Sequence, residues 1–308
     1  MLLAHLSDLH FYRFPDWSGL RTKRLIGLAN LLAFRRVARF NPRIAAEAIQ
    51  AVVADHPDAV LITGDITALG SPAEFVVARD ALEPILSRFP TIIVPGNHDY
   101  YTAGAARFHR IEQYFGQYIR TPGASLEEPT YPTLHFLGDV AVLGMNPNRA
   151  GFGASGRVDP VEAERLEAVL LRRDVARRFK VLLIHYPLLN EHGEAPGKFW
   201  RRLENREILM DVLQRHPVEL VLHGHDHQRY INHLKHDDGR VTLLCNAGSA
   251  AYDHGLEHPV QASYNLYEIE QGELVRMVHK DYSSDGFRVS FDGPPPTAQL
   301  EEATSITG

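Results

Sequence analysis

A chain of 308 residues, 44% hydrophobic and 23% charged, is long enough to bury one large α/β core or two small ones. Its one cysteine, Cys245, excludes an internal disulfide and fits a reducing compartment. No segment approaches the ~20 uninterrupted apolar residues of a membrane-spanning helix. The net charge of −6 is uneven, because residues 11–43 carry eight basic side chains (Arg13, Arg21, Lys23, Arg24, Arg35, Arg36, Arg39, Arg43) against one acid, Asp16. Such asymmetry bears on partners rather than on fold.

Met1 leads directly into an apolar run, residues 2–6, without the basic and long apolar stretches of a signal peptide, so a cytoplasmic location is expected. Asn41-Pro42 supplies an N-cap and a first-turn proline to a helix whose inner face is Ile44, Ala48, Ile49, Val52 and Val53. A second strand is expected over residues 59–62. Ser71-Pro72-Ala73-Glu74 reads as a capping box, a third strand follows at 91–94, and Asp159-Pro160-Val161-Glu162 reads as a similar box with Asp as the cap. Strands at 181–184 and 218–222 flank a helix over 201–215 that turns Ile208, Leu209, Val212 and Leu213 inward. All five strands are short and rich in Val, Ile and Leu, as strands buried on both faces are. Beyond them only strands are expected, at 241–245, 263–270 and 274–279, the last two joined tightly at Gln271-Gly272. Alternating strands and helices followed by strands give a mixed, layered α/β domain over residues 1–291. Residues 292–308, with Pro294, Pro295 and Pro296, are expected to form a disordered tail.

Each of the five buried strands runs into polar ligand types: Ser7-Asp8-Leu9-His10, Thr63-Gly64-Asp65, Pro95-Gly96-Asn97-His98-Asp99, His185-Tyr186-Pro187 and His223-Gly224-His225-Asp226-His227. The carboxyl ends of parallel strands share one edge of a sheet, so these residues should converge. Gly64, Gly96 and Gly224 each precede a proposed ligand, where a missing Cβ lets the backbone turn sharply and approach an ion. The i, i+2 spacing of Asp8/His10 and of His225/His227 would place each pair on one side of an extended segment. Three carboxylate or amide groups and four imidazoles exceed one tetrahedral site. They suit two borderline divalent ions such as Mn, Fe, Zn or Co, with one bridging carboxylate and a bridging hydroxide as nucleophile for in-line displacement at phosphorus.

In this order the motifs resemble the signature of the calcineurin-like metallophosphoesterases, bacterial phosphodiesterase type, across residues 8–227. The resemblance implies a two-sheet β-sandwich flanked by helices, in four α/β/β/α layers. It implies that Asp8, His10, Asp65 and His227 hold one metal, that Asp65 bridges, and that Asn97, His185 and His225 complete the second. His98 would face the phosphate, stabilising charge or protonating the leaving oxygen, and Asp99 would orient the loop or His98. His5 and His223 are expected to be satisfied core histidines, Asp226 to point away from the site, and Cys245 to be a small buried hydrophobe. Asn246-Ala247-Gly248-Ser249 resembles a loop near the family's site, and His254 and His258 follow in a segment that would border it.

Relative to the family the chain inserts residues 11–40, whose apolar stretch 25–34 has basic flanks. Such a segment suits contact with an anionic membrane, which would make the protein peripheral to the inner membrane; it equally suits a lid on its own domain. Flotation tests the membrane contact: binding to anionic but not neutral liposomes is expected, and equal or absent binding to both refutes it. The substrate class expected is a small-molecule phosphodiester. The alternatives are a lipid-linked nucleotide-diphosphate and a catalytically silent scaffold of the same fold. Ile66-Thr67-Ala68 after Gly64-Asp65 departs from the protein phosphatases. The acidic body of the chain argues against nucleic acid. Oligomeric state is not legible.

Overall fold

The computed structural model describes residues 1–13, 39–124, 130–149, 155–197 and 202–296. Most of the expected insert lies outside the described residues, including the apolar stretch 25–34 with Arg21, Lys23, Arg24, Arg35 and Arg36, and so does the tail beyond Pro296. Among the described residues no helix is long and apolar enough to cross a membrane.

The order is β1 (Leu2–Leu6), α1 (Pro42–Ala54), β2 (Ala59–Ile62), α2 (Pro72–Leu86), β3 (Thr91–Ile93), α3 (Ala103–Arg107), α4 (Arg110–Ile119), β4 (Thr133–Leu137), β5 (Val140–Gly144), β6 (Gly156–Arg157), α5 (Pro160–Leu170), α6 (Arg173–Ala176), β7 (Phe179–Leu183), β8 (Leu203–Glu204), α7 (Arg206–Arg215), β9 (Leu220–His223), β10 (Arg229–Lys235), β11 (Val241–Ala247), β12 (Ser263–Glu270), β13 (Glu273–Ser283) and β14 (Gly286–Gly293). One six-stranded sheet runs β14-β13-β12-β1-β2-β3 and the other β10-β11-β9-β7-β5-β4. Within each, the strands that carry the motifs are parallel neighbours: β1, β2 and β3 in the first, β7 and β9 in the second.

The period of two along each strand divides its side chains between two cores. Leu3, Leu61 and Ile92 of the first sheet meet Val181, Leu183, Leu220 and Leu222 of the second in the sandwich interior. The alternate residues face outward. Ala4, Leu6, Val60 and Ile62 pack on α1, α2 and α4 through Ile49, Val52, Phe75, Leu82 and Phe115. Leu182, Val221 and Leu143 pack on α5 and α7 through Leu166, Leu209 and Leu213. These are the four expected layers, two mixed sheets flanked by helices, and double-sided burial explains the uninterrupted apolar runs.

The caps act mostly as the sequence implies. Asn41 accepts from Arg43 N, and Ser71 and Glu74 form the reciprocal capping box. Asp159 caps Val161 N, but Glu162 does not complete a box: its Oε1 accepts from Asn146 N at 2.9 Å, across to the loop after β5. The helix expected over 201–215 starts at Arg206, because residues 203–204 pair with β6 as a short strand. Asp292 and Gly293, expected in the tail, end β14, where Asp292 pairs with Val278 and binds Arg276.

Burial pushes the Glu162 carboxyl from 4.5 up to about 7. Between those values the folded chain holds a proton that the unfolded chain has lost, so stability falls as pH rises through this window and is level above it. Glu162→Gln keeps the acceptor for Asn146 without the ionisation. Its stability advantage over the wild type should therefore grow between pH 4.5 and 8, to roughly 3 kcal/mol at most. Denaturant unfolding at both pH values checks this, and a constant difference refutes it.

Candidate active site

The five motif loops meet at one edge of the sandwich, and they meet backbone to backbone. Asp8 N donates to Gly64 O at 3.1 Å and His10 N to Asp65 O at 2.9 Å. Gly64 has φ +87°, and a Cβ there would strike the Gly96 backbone; a Cβ on Gly96 would strike Asp65 N and Oδ1. The glycines thus serve the approach of loop to loop, where the sequence suggested approach to an ion. Gly96→Ala should separate these loops, lowering stability by about 1–3 kcal/mol and weakening metal binding. Thermal unfolding with and without metal checks it, and an unchanged melting temperature with unchanged metal content refutes the tight approach.

The pairs Asp8/His10 and His225/His227 are not on extended segments, contrary to the spacing argument. Asp8, His10, Asp65, His225 and His227 all have left-handed backbones, with φ of 55°, 48°, 50°, 75° and 59°. Each such residue costs roughly 1–2 kcal/mol, and Asp and His tolerate the region better than most. Five of the seven expected ligands are therefore held in strained turns, a concentration typical of functional sites.

The side chains converge in two groups. In the first, Asp8 Oδ1 lies 3.5 Å from His10 Nε2 and 3.2 Å from His227 Nε2, and Asp65 Oδ2 lies 3.6 Å from His10 Nε2. Ligand atoms of Asp8, His10, Asp65 and His227 all fall within 4.8 Å of one another. In the second, Asn97 Oδ1 is 3.0 Å from His185 Nε2 and 2.9 Å from His225 Nδ1, and His185 Nε2 is 3.3 Å from Asp65 Oδ2. The same Asp65 oxygen faces both groups. Ions with bonds of about 2.1 Å space their ligand atoms roughly 3.0–3.4 Å apart, close to these distances. Imidazole nitrogens also face each other at 3.3 Å (His10 with His227) and 3.2 Å (His185 with His225). Each pair needs a proton or a cation between its two nitrogens, and a divalent ion meets that need. The residues fit divalent metal.

Electrostatics point the same way. Burial raises the carboxyls of Asp8 and Asp65, but the surrounding histidines overcome it and hold both well below the usual carboxylate range. Burial opposes the charged form of His185, yet Asp65 pushes it up to about 9, while burial takes His10 down to about 4. His185 Nδ1 donates to Thr63 O at 2.7 Å, fixing the tautomer that leaves Nε2 to the site. His10 Nδ1 has no hydrogen-bond partner; Phe40 stacks on its ring at 3.8 Å instead.

His98 is half-buried beside the first group, its ring 4.7 Å from that of His10. Its Nδ1 donates to Ala68 O at 2.6 Å, and its backbone N donates to Asp65 Oδ1 at 2.7 Å. The Asp99 carboxylate accepts from Gly96 N, Ile66 N, Thr67 N and Thr67 Oγ1, tying the Asn97 loop to the Asp65 loop. Burial and the charge of Asp65 push it up to about 7 against those donors.

Around these groups, Asn246 Nδ2 donates to Gly224 O at 2.8 Å and Ser249 Oγ to Asp8 O at 2.6 Å, so the 246–249 loop braces two motif turns. Asp226 turns away and accepts from Tyr230 Oη. His5 and His223 are both fully buried core histidines, His5 with its Nε2 on Thr63 Oγ1 and its Nδ1 without a hydrogen-bond partner. Burial takes both rings down to about 3, keeping them neutral. Cys245 is fully buried, its thiol pushed up to about 12. His254 and His258 stack at 4.1 Å, and His254 reaches the site through Tyr252, whose ring is 5.1 Å from that of His227. Phe40 and Tyr252 carry no sequence signal of such a place: one ends the insert, the other sits alone in a loop.

The chain is similar to known proteins in both sequence and fold. It is 35% identical over 101 residues to the glycerophosphodiester phosphodiesterase GpdQ of Enterobacter lignolyticus (strain SCF1), covering 32% of this chain and 30% of the relative. It is 27% identical over 250 residues to a probable cyclic nucleotide phosphodiesterase of Synechococcus sp. (strain WH7803), covering 77% of this chain and 85% of the relative. The first match thus spans less than a third of its relative's length. In fold it is similar to a purple acid phosphatase from yellow lupin (Lupinus luteus) seeds, with TM-score 0.62 at 13% identity over 95% of this chain and 53% of the other. It is also similar to a dimetal phosphatase of Danio rerio, with TM-score 0.54 at 14% identity over 94% and 98%. The model of the calcineurin-like phosphoesterases matches residues 1–229, a span holding all five motif loops, and the chain belongs to that family.

Proposed function

We propose that the chain hydrolyses a phosphodiester at a dinuclear divalent metal centre. The observation that carries this reading is the position of Asp65 Oδ2, 3.6 Å from His10 Nε2 and 3.3 Å from His185 Nε2, where one carboxylate oxygen can serve two ions. Asp8, His10, Asp65 and His227 would hold one ion, and Asp65, Asn97, His185 and His225 the other. Bound there, the metals supply Lewis-acid activation of the phosphoryl group and acidify the attacking water. His98 has its Nδ1 proton committed to Ala68 O, so Nε2 is the nitrogen left for substrate. Protonated, Nε2 would donate to a phosphoryl oxygen or to the departing alkoxide. Asp99 acts through position, holding the Asn97-His98 turn against Asp65. The relatives named as diesterases support a diester over a monoester.

The test is turnover of a bis-aryl and a mono-aryl phosphate by metal-stripped protein, with and without added Mn²⁺, Fe²⁺ or Zn²⁺. Metal-dependent cleavage of the diester with little of the monoester is expected. Preference for the monoester overturns the substrate class, and a purified protein that binds no metal overturns the centre.

A further inference from the structure

The two groups of site histidines are held by different means. In the second group a hydrogen bond from His185 Nδ1 to Thr63 O, at 2.7 Å, fixes the ring, and Tyr186 packs on His185 and His225 at 5.4 and 4.8 Å as well. A metal-bound imidazole ordinarily has such a partner for its other nitrogen, and losing the partner costs about 10–100-fold in metal affinity. His10, 1% exposed in the first group, has none: its Nδ1 is buried without a hydrogen-bond partner. The torsion that swings an imidazole about its Cβ–Cγ bond is soft. Packing must therefore aim His10 Nε2 at Asp8 and Asp65, 3.5 and 3.6 Å away.

Three rings supply that packing. His98 and His227 meet His10 edge to face at 4.7 and 5.2 Å, whereas Phe40 lies along its face at 3.8 Å, with 29° between the planes. The Phe40 ring also stands edge to face on His227, at 5.2 Å and 87°, so it touches both histidines of the first group. Its own place is fixed from several sides. Phe40 forms an isolated antiparallel bridge with Tyr252, and their rings lie 5.1 Å apart. On either side of it Asp253 N donates to Arg39 O at 2.7 Å and Asn41 N donates to Ala251 O at 2.9 Å. We infer that Phe40 is a positioning residue for the first ion. Its flat ring, rather than its bulk, holds His10 and His227 in place, so affinity at the first site depends on Phe40 and affinity at the second does not. The inference rests on the dinuclear reading above.

Stepwise uptake of Mn²⁺ by metal-stripped protein, followed by titration calorimetry, tests this without turnover. The step that His10→Ala removes identifies the first site. Phe40→Leu keeps the apolar burial and loses the flat ring. It should weaken the first step about 10–100-fold and leave the other unchanged. Phe40→Tyr keeps the ring and should bind both ions as the wild type does. Phe75 belongs to the same core cluster but meets Tyr114 and Phe115, so Phe75→Leu should alter neither step. An unchanged first step in Phe40→Leu overturns the inference. So does equal weakening of both steps, or a Phe40→Tyr variant as weak as Phe40→Leu. If the wild type takes up only one ion, the dinuclear reading fails, and the inference then stands or falls on whether Phe40→Leu weakens the step that His10→Ala removes. A wild type that takes up no ion overturns both.

Discussion

Asp65→Ala is expected to lose both metal ions and all detectable diesterase activity, whereas truncating a ligand on one side of the centre, as in Asp8→Ala, should leave the other group able to bind. The difference follows from geometry. Asp65 is 1% exposed, and its Oδ2 faces His10 in one group and His185 in the other. Its Oδ1 accepts from His98 N, so the same side chain also fixes the turn that carries Asn97 and His98. Removing it leaves each group of imidazoles without its shared anion and frees that turn. Metal content per chain by elemental analysis, with turnover of a bis-aryl phosphate on the same sample, is the check. Two ions retained in Asp65→Ala would refute the shared carboxylate; loss of one ion only would mean that Asp65 serves a single site.

The convergence of the site is legible in the sequence because parallel strands leave their carboxyl ends on one edge, so motifs after residues 6, 62, 94, 184 and 222 have few other places to meet. The means of convergence are not legible. Nothing in the spacing of Asp8 and His10 announces left-handed backbone at both, since φ is set by hydrogen bonds to Gly64 and Asp65 from another strand. Likewise Glu162 has the spacing of a capping-box residue but is drawn across to Asn146, a tertiary contact that overrides the local one. The hairpin β4–β5 has its own signal in the Gly138-Asp139 turn and the apolar run 140–143, but no ligand type follows it to mark it as part of the site. Yet the loop after β5 supplies Asn148, whose amide donates to Pro95 O just before the Gly96-Asn97 turn. β14 offered no contrast to read: as an edge strand it is largely exposed, Val289 at 54%, and its side chains are mixed along its length. Phe40 packs on His10 where it forms an isolated bridge with Tyr252, and a single bridge leaves no periodic signature.

His98→Ala should separate chemistry from metal binding. The side chain is not within the two ligand groups, and its backbone N–H to Asp65 survives the substitution, so both ions should stay. Turnover should fall by about 10²–10⁴-fold, the usual contribution of a positioned acid or base. The choice of substrate then reveals which of its two roles His98 performs. If Nε2–H protonates the departing alkoxide, loss should be small for a nitrophenyl diester, whose leaving group needs no proton, and large for an alkyl diester. If it only stabilises charge on the phosphoryl oxygens, both should lose equally. The hydrogen bond to Ala68 O gives a second handle: with Nδ1 committed, His98→Gln, which can still present an N–H but cannot be protonated, should recover activity in the charge-stabilising case and not in the proton-transfer case. Wild-type turnover in His98→Ala on the alkyl diester would remove His98 from the reaction altogether and leave its ring as a wall beside His10 and Tyr101, on which it stacks at 5.4 Å.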